Sequence, residues 1–144
     1  ERWAPRMTRL NIEYLFESNP KKAIVNADGR AIEQVFVNLI SNSIQAMDPD
    51  GGTLSIKIQA APDSLPPQYE VSVTDSGPGI PEDIIKHIFE PFQTTKSTGT
   101  GLGLAITKRI VTAHKGNIFV ESYPGGTMFR VLLPMASTKE KNDN

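Results

Sequence analysis

Asn38 and Asn42 stand four residues apart, the spacing that stacks two side chains on one face of a helix. With Gln34, Ser41 and Gln45 they fall within about one quadrant at 3.6 residues per turn. An Asn side-chain oxygen can coordinate Mg²⁺, but neutral amides alone make a poor cage. Magnesium keeps several waters and takes its other ligands from substrate phosphates. Such a face suits a metal that arrives with a phosphorylated substrate. Taken alone, it is also the ordinary pattern of a solvated polar helix face.

Asp75 closes an alternating run in which Val71, Val73 and Asp75 share parity, so the pattern carries a carboxylate to the core side of a strand. A buried carboxylate needs a partner. An acceptor-only side chain suits an N–H donor such as the amino group of adenine. Gly77 and Gly79 follow within Asp75-Ser76-Gly77-Pro78-Gly79-Ile80 and allow close backbone approach or positive φ. The same string is also a good surface turn. Thr127, directly after Gly125-Gly126, leads the inward set Thr127, Phe129, Val131 and Leu133. Its hydroxyl could meet a purine ring or bond its own backbone.

The segment Gly99-Thr100-Gly101-Leu102-Gly103-Leu104 opens a helix, where exposed N–H groups and the helix dipole favour phosphate. Lys96 is a cation placed for a terminal phosphate, or an ordinary surface lysine. The stretch from Phe92 to Gly101 has the Thr, Ser and Gly composition of a mobile lid. The common phosphate motifs are missing. A dinucleotide fingerprint would need Gly at position 82 or 104, which hold Glu82 and Leu104. No Gly-Lys-Ser/Thr, His-Arg-Asp or Asp-Phe-Gly string occurs.

The elements that must position these residues are legible in outline. Leu10 to Phe16 and Ala23 to Val25 read as strands joined at Ser18-Asn19-Pro20. A helix is expected from about Arg30 to Met47, with Ile32, Phe36, Leu39, Ile40, Ile44 and Met47 as its apolar stripe. Thr53 to Ala60 and Tyr69 to Asp75 alternate as strands around a Pro-rich connector from Ala61 to Pro67. Pro81, Glu82 and Asp83 start a short helix. Leu102 to about His114 forms another helix. Asn117 to Ser122 and Thr127 to Leu133 form a hairpin, and the polar stretch Ser137 to Asn144 is expected to fray. The expected fold is α+β: a two-layer sandwich of a mixed β-sheet covered on one face by three helices.

The chain has 144 residues, 38% of them hydrophobic, enough for one domain with a core. Net charge is −1, so there is no basic field for nucleic acid and no basic helix for direct membrane contact. Cysteine is absent, which removes disulfides and thiolate metal sites. No apolar run approaches a transmembrane span and no signal peptide is seen. The start at Glu1 reads as that of a fragment, so a membrane anchor could belong to the parent.

In this order and spacing, the segments resemble the catalytic, ATP-binding domain of sensor histidine kinases, in the superfamily of the gyrase B, Hsp90 and MutL ATPases. Asn38 to Met47 is similar to the N box and Asp75 to Ile80 to the G1 box. Phe89-Glu90-Pro91-Phe92 is similar to the F box, Gly99 to Leu104 to the G2 box, and Gly125-Gly126-Thr127 to the last glycine box. The resemblance covers about Leu10 to Pro134; the short lid and Gln45-Ala46-Met47 look most similar to the nitrogen-regulation type. It implies that Asn42 bridges Mg²⁺ and that Asp75 and Thr127 meet adenine. Gly77, Gly79 and Ile80 lie at the base, and Phe92, Lys96, Thr98, Gly99, Thr100, Gly101, Leu102 and Gly103 line the nucleotide site. ATP and Mg²⁺ are the implied ligands, and a cytoplasmic location is implied.

Two departures bear on chemistry. Many members carry Lys or Arg where this chain has Gln45. Hydrolytic relatives carry a Glu four residues before the magnesium Asn, as base for water; here Asn38 stands there, which points to transfer rather than hydrolysis. The acceptor is not in the chain, because neither His87-Ile88-Phe89 nor His114-Lys115-Gly116 fits the family's acceptor context. The resemblance therefore implies a helical dimerisation domain preceding Glu1, with Glu1 to Arg9 as the end of its linker, residues 10–134 as the ATP-binding domain and 135–144 as a disordered polar tail. A response-regulator receiver domain would take the phosphate onward. Rival readings are an anti-sigma-factor-type serine kinase and a nucleotide-gated interaction module that performs no transfer.

Overall fold

The computed structural model describes residues 4–19, 25, 27–61, 67–91 and 103–136. In chain order they form α1 (Ala4–Arg9), β1 (Ile12–Asn19), α2 (Gly29–Ala46), β2 (Gly52–Ala61), β3 (Gln68–Asp75), α3 (Glu82–Ile85), α4 (Gly103–Ala113), β4 (Asn117–Tyr123) and β5 (Gly126–Pro134). No helix among these residues is long and apolar enough to cross a membrane.

The strands make one five-stranded mixed sheet in the order β1-β2-β3-β5-β4. β1 runs parallel to β2, and every other pair is antiparallel. Alternation decides which face is covered. Leu54 and Ile56, Val73 and Asp75, and Thr127, Phe129, Val131 and Leu133 all turn inward and are buried. Against them α2 packs Val35, Leu39, Ile44 and the following Met47, and α4 packs Val111. Burying a Leu or Phe side chain contributes roughly 1.5–3 kcal/mol, so this layer holds helices and sheet together.

The expected α+β sandwich is the observed architecture, with three local differences. Ser18 and Asn19 do not turn; β1 runs on through Asn19 because its parallel ladder with β2 continues to the Asn19–Gln59 pair. β1 therefore finds its neighbour across α2 rather than in the next segment. Of the second expected strand only Val25 is described, in an isolated bridge with Met135. Second, residues 4–9 add a short helix whose Met7 joins the core. Third, the α2 stripe is centred differently: Val35 is fully buried, whereas Ile32, Phe36 and Ile40 are only partly so.

Two polar clasps align α2 and α4 antiparallel. Asp28 caps α2, accepting from Arg30 N at 3.0 Å and Ala31 N at 3.4 Å. Its own N–H donates to His114 Nε2 at 3.1 Å, while His114 Nδ1 lies 2.8 Å from Ile110 O. At the other end, Asn38 holds the first turn of α4. His114 is thus a structural histidine; His87 is exposed and pairs with Glu90.

Candidate functional site

The site grows from the end of the central strand. Asp75 is the last residue of β3 and is 3% exposed. In register it lies opposite Leu54 on β2 and Thr127 on β5, and Thr127 lies opposite Ser122 on β4. A carboxylate and two hydroxyls thus form one lateral row at one end of the sheet. Thr127 is buried to the same degree as Asp75. Asp75 Oδ1 accepts from Gly77 N at 2.9 Å, which folds the chain back over the strand end. Ser76 pins that loop to β2: Thr53 N donates to Ser76 Oγ at 2.8 Å, and Ser76 N to Thr53 O at 3.2 Å.

The glycines are there for space. A Cβ on Gly77 would stand 3.0 Å from Ala46 O, so the loop touches the last turn of α2. Gly79 has φ +90°, and a Cβ there would lie 2.4 Å from Tyr123 O. Only glycine permits that conformation and that approach together. The loop is consequently clamped between the end of α2 and the β4–β5 hairpin, and Ile80 N donates to Ser122 Oγ at 2.6 Å. Beside this seam a surface cleft of about 730 Å³ opens between Pro78–Glu82 and Ser122–Pro124. None of Asp75, Thr127 or Asn42 lines it.

Asn42 and Asn38 come from α2. Asn42 is partly buried, one helical turn before the Ala46 carbonyl that meets Gly77. Asn38 does not face solvent, as a purely polar helix face would require. Its Nδ2 donates to Gly103 O and to Thr107 Oγ1, each at 3.1 Å, and its Oδ1 accepts from Gln34 Nε2 at 2.9 Å. Thr107 Oγ1 in turn donates to Gly103 O at 2.8 Å. This network fixes the start of α4, where Gly103 ends the glycine-rich segment.

Phe89 anchors the chain ahead of that segment. Its ring meets Phe129 edge-on at 6.3 Å between centroids, and Lys108 Nζ stands 5.4 Å over its centroid. The lid expected between Phe92 and Gly101, with Phe92, Lys96, Thr98, Gly99, Thr100, Gly101 and Leu102, lies outside the described residues. The expected frayed segment Ser137 to Asn144 does too.

Among the expected site residues, Asp75, Gly77, Gly79, Ile80 and Thr127 come together at one sheet end. Asn42 stands on the adjacent helix, and Asn38 and Gly103 are joined directly. Sequence reasoning missed Ser122 and Thr107. Ser122 was within reach, because a tight turn at Pro124-Gly125 sets the register that places it opposite Thr127. Thr107 shares a helix face with Gly103, but nothing in the sequence pairs it with Asn38.

The site thus combines a mixed sheet with a buried Asp-Thr pair at its end, a glycine loop against it and an Asn-bearing helix alongside. The chain belongs to the histidine kinase-, DNA gyrase B- and HSP90-like ATPase family, whose model matches residues 27–137. It is 44% identical over 131 residues to sporulation kinase A of Bacillus subtilis, across 88% of this chain and 21% of that protein. It is 43% identical over 128 residues to the sensory histidine kinase/phosphatase NtrB of Rhodobacter capsulatus, across 76% of this chain and 33% of that protein. The nucleotide-free catalytic domain of histidine kinase ThkA superposes with TM-score 0.81 at 35% identity, covering 94% of this chain and 88% of that one. ThkA in complex with the response regulator protein TrrA gives TM-score 0.77 at 32% identity, covering 94% of this chain and 37% of that one. The chain thus spans a fifth to a third of these two kinases' length and nearly all of an isolated catalytic domain.

Proposed function

We propose that this chain is the catalytic domain of a two-component sensor histidine kinase. It binds Mg-ATP and transfers the γ-phosphoryl group to a histidine on a separate helical dimerisation domain, from which a response-regulator aspartate receives it. The observation that carries this reading is the buried Asp75–Thr127 pair beside the Gly77–Gly79 loop. A carboxylate in that setting offers acceptors to an amino group, and adenine presents one. The names of the kinases to which the chain is similar support the same reading.

In the transfer, the acceptor imidazole nitrogen attacks the γ-phosphorus. A P–N bond forms, the P–O bond to the β-phosphate breaks, ADP leaves and the ring loses a proton. Positioning and charge stabilisation do most of this work. Among the described residues no cluster of three or more His or acidic side chains could hold a metal. The donor chemistry of Asn42, one neutral amide oxygen, fits a magnesium ion that shares phosphate and water ligands. Bound there, Mg²⁺ would offset charge on the β- and γ-phosphates. Lys96 and the Gly99–Gly103 backbone would hold the phosphates, with Phe92, Thr98, Thr100 and Leu102 around them. Asn38 lacks the basicity to activate water and instead positions α4.

The proposed organisation is residues 10–134 as the ATP-binding domain, Glu1 to Arg9 as the end of a linker, and 135–144 as a polar tail. The domain is proposed to work in the cytoplasm. A calorimetric titration with ADP, ATP and GTP tests the site. Adenine nucleotides should bind and GTP should not, because guanine presents a carbonyl where Asp75 needs an N–H. Asp75→Asn should weaken ADP by tenfold or more in a folded protein. Equal affinity for GTP and ATP would sink the assignment.

A further inference from the structure

Three polar contacts converge on the hydroxyl of Ser122. Ile80 N–H donates to it at 2.6 Å, Thr127 Oγ1 lies at 3.0 Å, and Gly126 O lies at 3.3 Å. A serine hydroxyl has one proton and two lone pairs. Ile80 takes one lone pair, so two arrangements remain. In the first, Ser122 donates to Gly126 O and Thr127 gives its proton to Ser122, leaving Thr127 an acceptor towards the site. In the second, Ser122 donates to Thr127 Oγ1, and the Thr127 proton can turn towards the space beside Asp75.

The Thr127 contact is made in both arrangements, and the first also keeps the bond to Gly126 O. The chemistry next door calls for the second. Adenine carries its amino donor beside a ring-nitrogen acceptor. Asp75 can only accept, so it takes the amino group, and a donor is wanted one position along. Guanine reverses both groups. We propose that Ser122 is a positioning residue for base recognition: it makes the Thr127 hydroxyl a donor towards the purine ring and locks the Ile80 backbone to the β4–β5 hairpin. This role rests on the nucleotide-binding reading of the site.

Ser122→Thr and Ser122→Val provide the test, because the two side chains share a shape suited to a strand and differ in the hydroxyl. The readouts are ADP affinity by calorimetry and the Ile80 amide proton by two-dimensional NMR. Ser122→Thr should bind ADP within about twofold of the parent and keep the Ile80 amide shift. Ser122→Val should bind about tenfold more weakly and move that amide upfield, since an unmet hydrogen bond at a specific site is expensive. If Ser122 acts through Thr127, adding Ser122→Val to Thr127→Val should change affinity by less than about threefold. Equal ADP affinity for Ser122→Thr and Ser122→Val, or fully additive losses in the double variant, would overturn the role. No ADP binding by the parent chain would remove the nucleotide reading and this role with it. Binding by the parent with no Thr–Val contrast would remove this role alone.

Discussion

Asn38→Asp separates a positioning role from a polar surface role with almost no change in shape. In the folded chain the Asn38 amide gives two donor bonds at 3.1 Å, to Gly103 O and Thr107 Oγ1. A carboxylate has no donor, so an oxygen would face the Gly103 carbonyl oxygen directly. Thr107 could turn its proton to the new carboxylate only by leaving Gly103 O, which it now reaches at 2.8 Å. Each neutral hydrogen bond contributes about 0.5–1.5 kcal/mol net, and a part-buried acceptor left unmet adds to the loss. The expected destabilisation is about 2 kcal/mol, or about 7 °C in melting temperature for a domain of this size. Urea unfolding of the parent, Asn38→Asp, Thr107→Val and the double variant measures it. The double variant should lose clearly less than the sum, because both changes break one network. A loss below about 0.5 kcal/mol for Asn38→Asp, the usual range for a surface substitution, would show that the contact to α4 does not hold the helix.

Asn42→Ala should leave ADP affinity without magnesium nearly unchanged and abolish most of the gain that magnesium gives, as read by titration at fixed nucleotide. A tight magnesium site in the absence of nucleotide would contradict that role. Ser43 is fully buried on α2 and its Oγ has no hydrogen-bond partner. Ser43→Ala should therefore be neutral to stabilising by about 1 kcal/mol in urea unfolding, because an unmet buried hydroxyl is removed and Ala favours helix. A loss above about 1 kcal/mol would mean that the hydroxyl has a partner in solution.

Periodicity made most of the fold readable. The inward set from Thr127 to Leu133 and the parity of Val71, Val73 and Asp75 place two buried polar groups from the sequence pattern alone, because a pleat leaves only two faces. Helix boundaries are within a residue or two: the stripe from about Arg30 to Met47 is the helix Gly29–Ala46, and Pro81 directly precedes Glu82–Ile85. Pairing partners were less legible. β1 bonds to β2 across an intervening helix, and nothing in Ile12–Asn19 names a partner that far along the chain. Ser18-Asn19 has turn chemistry, but the ladder overrode it. The meaning of Asn38 was half legible. Its residue type says that it cannot take a proton, whereas its contact with Gly103 depends on how α2 crosses α4. Ser122 was missed because a lone Ser in a strand carries no signal until register sets it against Thr127.

The central claim is transfer to a histidine rather than to water. The direct measurement incubates the chain with γ-labelled ATP and magnesium, with and without a separately supplied dimerisation domain carrying the acceptor histidine. The chain alone should release phosphate very slowly and remain unlabelled, since His114 is engaged within the fold and neither it nor His87 has an acceptor sequence context. With the partner present, label should appear on the partner's histidine as an acid-labile, base-stable phosphoramidate and should vanish with Asp75→Asn. Brisk ATP hydrolysis by the chain alone, lost in Asn42→Ala and indifferent to any histidine partner, would contradict the claim and place the protein among the hydrolytic members of its family.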